Sequence, residues 1–126
     1  MADRRIEDLT PEMQEKVNEW VKQMQDAGID YLITCTKRTQ EEQNDLWAIG
    51  RTVNIDHPKV TWTLHSKHIE GLAFDFCILW NGKPDWNMTM NPEGWKKAVE
   101  IGKNLGLTQV IGSDGHVKEF AHLQMG

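Results

Sequence analysis

Met13, Val17, Trp20, Val21 and Met24 recur at spacings of three and four and draw one apolar stripe along a helix predicted over Pro11 to Ala27. Thr10 can cap it, Pro11 suits the first helical position, and Gly28 ends it in the left-handed region. Tyr31 to Thr36 is rich in β-formers and reads as a strand. Thr39-Gln40-Glu41-Glu42 is a capping box for a second helix, which carries Leu46, Trp47 and Ile49 and stops at Gly50. Val60 to Leu64 is a second strand, and Leu72 to Leu79 is the third and strongest, followed by the turn signal Asn81-Gly82. Asn91-Pro92 opens another helix, with Trp95, Val99 and Ile101 partly inward and Gly106 beyond its end. Leu107 to Ile111 reads as a strand, Gly112-Ser113-Asp114-Gly115 as a turn, and Glu119 to Gln124 as a short terminal strand or its approach. Helices and strands mix without βαβ regularity, which predicts an α+β fold with a small, mostly antiparallel sheet.

The 126 residues fit one domain, with neither repeat nor linker. Fourteen basic against nineteen acidic residues give a net charge of −5, which argues against binding nucleic acid by bulk electrostatics. The longest apolar stretch, Leu72 to Trp80, is interrupted by Asp75 and is far short of the roughly 20 residues a membrane helix needs. The opening Met1-Ala2-Asp3-Arg4-Arg5-Ile6-Glu7-Asp8 has no apolar core, so no secretory signal is read there. Cys35 and Cys77 are too few for a disulfide framework; they read as half-buried thiols in neighbouring strands, with a bond between them left open.

The candidate chemistry lies in Ser66-Lys67-His68-Ile69-Glu70-Gly71-Leu72-Ala73-Phe74-Asp75. His68 sits in a loop, and Gly71 permits a turn that other residues resist. Ala73 and Asp75 share one strand face; Leu72, Phe74, Phe76 and Ile78 share the other, wholly apolar one. A carboxylate in so apolar a strand needs compensation, which a metal ion would give, His nitrogen plus Asp oxygen being an acceptable zinc pair. The plainer alternative is a solvated Asp75 on an exposed face and a surface His68. Glu119-Phe120-Ala121-His122 repeats the carboxylate and imidazole. Three ligands and a separate base suffice for a catalytic zinc site, so His68, Asp75 and His122 with Glu119 are enough. A solvated Glu119 and a rim His122 are the alternative.

Ser-x-His-x-x-Gly-x-Ala-x-Asp, followed about 45 residues later by Glu-x-x-His, resembles the zinc signature of the LAS-type, VanY-like peptidoglycan peptidases. Thr36-Lys37-Arg38-Thr39-Gln40-Glu41-Glu42-Gln43, Leu46-Trp47-Ala48 and Gly50-Arg51-Thr52 are similar to that family's arginine-bearing helix start and the segment after it. Val60 to Leu64 matches its approach to the His loop, so the likeness runs from about Tyr31 to Gln124. Two departures stand out: Leu123 follows the last His where many phage members have an aromatic, and Gly112 to His116 replaces a tryptophan-bearing segment.

The resemblance implies a LAS/hedgehog-type zinc peptidase fold, with residues 1–126 as a single catalytic domain. It implies Zn2+ on His68, Asp75 and His122, Glu119 as the catalytic base, and Arg38 aimed at the substrate carbonyl or a nearby carboxylate. Ser66 holds the loop or touches substrate. His65 is not used by the family pattern, His57 reads as a loop residue, His116 lines the site or is exposed, and Trp62 or Trp86 flanks a substrate groove. A compact chain of this kind resembles a phage endolysin, made in the host cytoplasm and acting on the wall after release. The expected reaction is hydrolysis of the L-Ala–D-Glu bond of the peptidoglycan stem peptide. The rivals are a D,D-carboxypeptidase or dipeptidase removing D-Ala, and an inactive zinc-bearing wall-binding module. The expected partner is the stem peptide, with no nucleic acid, no membrane insertion and a monomeric chain.

Overall fold

The structure is a computed structural model and describes residues 3–61, 66–110 and 120–125. Helix α1 (Pro11–Asp26) starts where the Thr10 hydroxyl accepts from the Met13 amide, and Gly28 takes φ +71° just beyond its end. Its stripe of Met13, Val17, Trp20 and Met24 is fully buried. Helix α2 (Gln40–Ala48) opens on the expected capping box, Thr39 and Glu42 each accepting from the other's amide. Helix α3 (Pro92–Asn104) is capped by Asn91 and buries Trp95, Ala98, Val99 and Ile101 more completely than their spacing suggests.

Among the described residues the strands are β1 (Tyr31–Cys35), β2 (Ala73–Trp80), β3 (Lys83–Pro84), β4 (Leu107–Thr108) and β5 (His122–Met125). They pair antiparallel in the order β1-β2-β5-β4, with β3 hairpinned onto the end of β2 through Asn81 and Gly82, both at positive φ. The α+β expectation is met. Of the expected Val60–Leu64 strand, Val60 and Thr61 stand outside the strands, and residues 62–64 lie outside the described set. Arg51 holds Thr61 instead, donating to its carbonyl while stacking on the Trp47 ring. The strand expected to reach Ile111 ends at Thr108, and residues 111–119, including the expected turn, are outside the described set.

Phe74, Phe76 and Ile78 of β2 point into a core closed by α1 and α3. The Trp20 ring lies 5.1 Å from Phe74 and 5.2 Å from Phe76, and its indole N–H donates to the Ala98 carbonyl at 2.9 Å. This tryptophan thus ties both helices to one sheet face with its polar handle satisfied. The opposite face is left to carry the site.

The segment before α1 straps across the sheet end. The Thr36 amide donates to the Asp3 carbonyl at 2.6 Å and its hydroxyl to the Arg5 carbonyl at 2.9 Å. The Thr10 amide donates to the carbonyl of Gly71, whose φ of +71° and close approach to the backbone of residues 8–10 need a glycine.

Candidate metal centre

Strand register assembles the site. Asp75 of β2 pairs with Cys35 on one side and His122 of β5 on the other, so the three stand in one row across the sheet. Cys35 owes its place to a β-bulge: Ile33 pairs with Phe76, yet Cys35, two residues on, pairs with Asp75. One residue is extra on β1. His68 arrives from the loop of residues 66–71, where the Ser66 hydroxyl accepts from the His68 amide at 3.2 Å and the His68 carbonyl accepts from Gly71 and Arg38. Ser66 therefore holds the loop.

His68 Nε2, Asp75 Oδ1 and His122 Nδ1 lie 3.1, 2.9 and 3.2 Å apart. Ligands of a tetrahedral zinc ion at about 2.0 Å are separated by about 3.3 Å, so this triangle has the size a divalent cation needs. The rings are aimed from behind. His68 Nδ1 is 2.6 Å from the Thr36 carbonyl, and His122 Nε2 is 2.9 Å from Gln124 Oε1. Each acceptor takes the N–H of its ring and leaves the other nitrogen's lone pair facing the carboxylate. Two lone pairs and a carboxylate oxygen converging on one point repel unless positive charge sits among them. The donor set fits such an ion.

The titration directions say the same. Burial alone would push the His68 imidazole down, but hydrogen bonding and charge from Asp75 outweigh it and push it up to about 10. Burial would raise Asp75, but its bonds to His122 and His68 hold it well below the usual carboxylate range. In the absence of metal, a proton supplies the positive charge. His68 is 1% exposed and the Asp75 side chain 23%, so Asp75 is not on a solvated face.

Arg38 stands beside the triangle. Its Nη2 is 3.9 Å from Asp75 Oδ2 and 3.5 Å from Cys35 Sγ, and its Nη1 donates to Gln43 Oε1 at 2.7 Å. Gln43, buried on α2, donates on to the Thr61 hydroxyl. These bonds fix the guanidinium at a cleft of about 310 Å³. Asp75, His122 and Arg38 are among the polar groups lining this cleft, and Leu46, Val60, Trp86 and Phe120 among the apolar ones. Trp86, 56% exposed, is where a groove-flanking tryptophan was expected; Trp62 is outside the described residues.

Glu119, His65 and His116 also lie outside the described residues. His57 is an exposed loop residue. Cys35 and Cys77 are both free and buried rather than half-buried; Cys77 pairs with Leu32, not with Cys35. The sequence reading missed Cys35, Gln43 and Gln124 as neighbours of the centre. A period-two count from Asp75 does not reach across strands, and only Gln124, two residues after His122 on the same strand face, carried a local signal.

No family model matches the chain. The Bacillus subtilis (strain 168) protein CwlK, a peptidoglycan L-alanyl-D-glutamate endopeptidase, is 30% identical over 125 residues, covering 94% of this chain and 74% of that protein. The fold is similar to the Serratia marcescens L-Ala D-Glu endopeptidase ChiX (TM-score 0.67, 15% identity, 100% of this chain and 89% of that one). It is also similar to a variant of the D,D-pentapeptidase VanY solved in complex with Zn(II) (TM-score 0.66, 15% identity, 93% and 72%). With that sequence identity and coverage, the chain belongs to the family of CwlK, the LAS-type, VanY-like peptidoglycan peptidases.

Proposed function

We propose that this chain is a zinc-dependent peptidoglycan peptidase that hydrolyses the L-Ala–D-Glu bond of the stem peptide. The observation that carries it is the triangle of His68, Asp75 and His122 donors, 2.9–3.2 Å on a side, in a chain 30% identical to an L-alanyl-D-glutamate endopeptidase. His68 Nε2, Asp75 Oδ1 and His122 Nδ1 are the atoms that hold zinc. Zinc bound there supplies a Lewis acid for the scissile carbonyl and makes water a nucleophile near neutral pH.

The chain's own residues do the rest. Glu119 takes the proton of the attacking water and returns it to the leaving amine. Arg38, anchored by Gln43, offers its positive charge to the oxyanion that develops on the carbonyl, or to a substrate carboxylate beside it. The Thr36 carbonyl and Gln124 keep both imidazoles in the required tautomer. The apolar wall with Trp86 shelters the reacting peptide from water. Ser66 keeps the His68 loop in place.

Residues 1–126 act as one catalytic domain and as a monomer. The wider setting is that of a phage endolysin reaching the wall after release, with neither nucleic acid nor membrane as partner. No helix among the described residues is long and apolar enough to cross a membrane. The test is mass spectrometry of muropeptides digested with and without a chelator. Stem peptides cut after L-Ala, only without chelator, are the expected result. Loss of terminal D-Ala would instead make the chain a D,D-carboxypeptidase, and wall binding without cleavage an inactive module.

A further inference from the structure

The row across the sheet holds one metal-ligating side chain that the zinc triangle leaves unused. The bulge in β1 puts Cys35 opposite Asp75, on the face of the centre, and the thiol is only 5% exposed. The donor atoms of Cys35, His68 and Asp75 all lie within 4.8 Å of one another. The sulfur is weakly held: Arg38 Nη2 is at 3.5 Å and the Thr36 carbonyl at 4.0 Å. Thiolate sulfur favours soft cations, whereas imidazole and carboxylate already make an acceptable zinc set.

We propose that Cys35 is a metal ligand in a second binding mode, in which Cys35, His68 and Asp75 together hold a thiophilic divalent cation such as cadmium. The thiol proton passes to solvent as the sulfur–metal bond forms. This set shares His68 and Asp75 with the zinc triangle, on which the inference rests, so the two ions exclude each other. Occupancy by the soft ion withdraws the centre from zinc, and the chain is thereby sensitive to thiophilic metals through one residue. Cys77 is the internal control: it is two positions along the same strand face from Asp75, but it faces Leu32 and lies in the core cluster.

The experiment titrates the metal-free full chain with cadmium and reads the ultraviolet thiolate-to-cadmium charge-transfer band, with zinc affinity measured in parallel. The band is expected in the wild-type chain and in Cys77→Ser, and it should vanish in Cys35→Ser. Cadmium affinity should fall about tenfold or more in Cys35→Ser while zinc affinity stays within about threefold. Added zinc should erase the band. Cadmium bound without the band, a band that survives Cys35→Ser, or simultaneous binding of both ions overturns the inference. Should Cys35→Ser fail to fold, the wild-type band, its persistence in Cys77→Ser and its erasure by zinc decide the matter. A chain that binds zinc but gives no band refutes this mode alone; one that binds neither ion refutes the zinc reading as well.

Discussion

Asp75 and His122 are direct partners across the β2–β5 ladder, with the Asp75 carboxylate oxygen 2.9 Å from the His122 Nδ1. Forty-seven residues of chain are closed by this one pairing. The ladder, not a flexible loop, therefore fixes two of the three donors, and only His68 depends on loop geometry.

Ligand and base should separate on mutation. His68→Ala should abolish stoichiometric zinc retention, measured by metal analysis after dialysis. Glu119→Gln should keep zinc and fold but lower kcat by about 100- to 10,000-fold, the usual contribution of a general base. Near-normal turnover in Glu119→Gln would remove Glu119 from the mechanism.

Gln124→Leu removes the acceptor behind His122 and leaves that ring free to adopt the wrong tautomer. Zinc affinity should fall about 10- to 100-fold, with little change in the melting temperature of the metal-free chain. Competition with a chromogenic chelator measures it, and Gln124→Glu, which keeps an acceptor, should recover most of the loss.

The metal-free chain should have a narrow pH optimum of stability. His68 is raised from 6.5 to about 10, so its contribution is complete below about pH 6.5 and drains away as pH climbs towards 10. Asp75 is depressed below its ordinary 3.8, so its contribution is present above that value and is lost on acidification through the lower folded value. The two describe one ion-pair cluster, worth on the order of a few kcal/mol in all. Melting temperatures of the metal-free chain should peak between about pH 4 and 6.5. Zinc should flatten the alkaline limb, because it replaces the proton. A flat alkaline limb without zinc would refute the assignment.

Trp86→Ala should raise KM by about five- to tenfold with kcat changed less than twofold, because the indole lines the cleft without touching the donor triangle. Steady-state kinetics on a defined muropeptide would show it. An equal fall in kcat and kcat/KM would mean that the ring acts in the transition state.

Much of this was readable in advance because it is local. The Met13–Met24 stripe, the Thr39–Glu42 capping box and the Asn81-Gly82 turn each concern neighbours within a helical turn or a hairpin, and each stands where expected. The His68–Asp75 spacing was legible for the same reason: loop, glycine and strand follow one another. Cys35 was not, because the bulge that turns it towards Asp75 is a property of how β1 pairs, and nothing in Tyr31–Cys35 announces it. Val60 and Thr61 look like a strand by composition, but Arg51 and Gln43 claim Thr61 through side-chain bonds, and these two residues stand outside the described strands. The Arg38–Gln43 contact links two positions that a helix count treats as unrelated.

Thr36 is a lever with its fulcrum in the sheet. Its amide and hydroxyl are gripped by the backbone of Asp3 and Arg5, while its carbonyl steers the His68 ring. Any force on the first residues, from a purification tag, a fused module or a partner that peels them away, is transmitted to an imidazole of the metal centre. Attachments ahead of Asp3 should therefore alter how firmly the ion is retained.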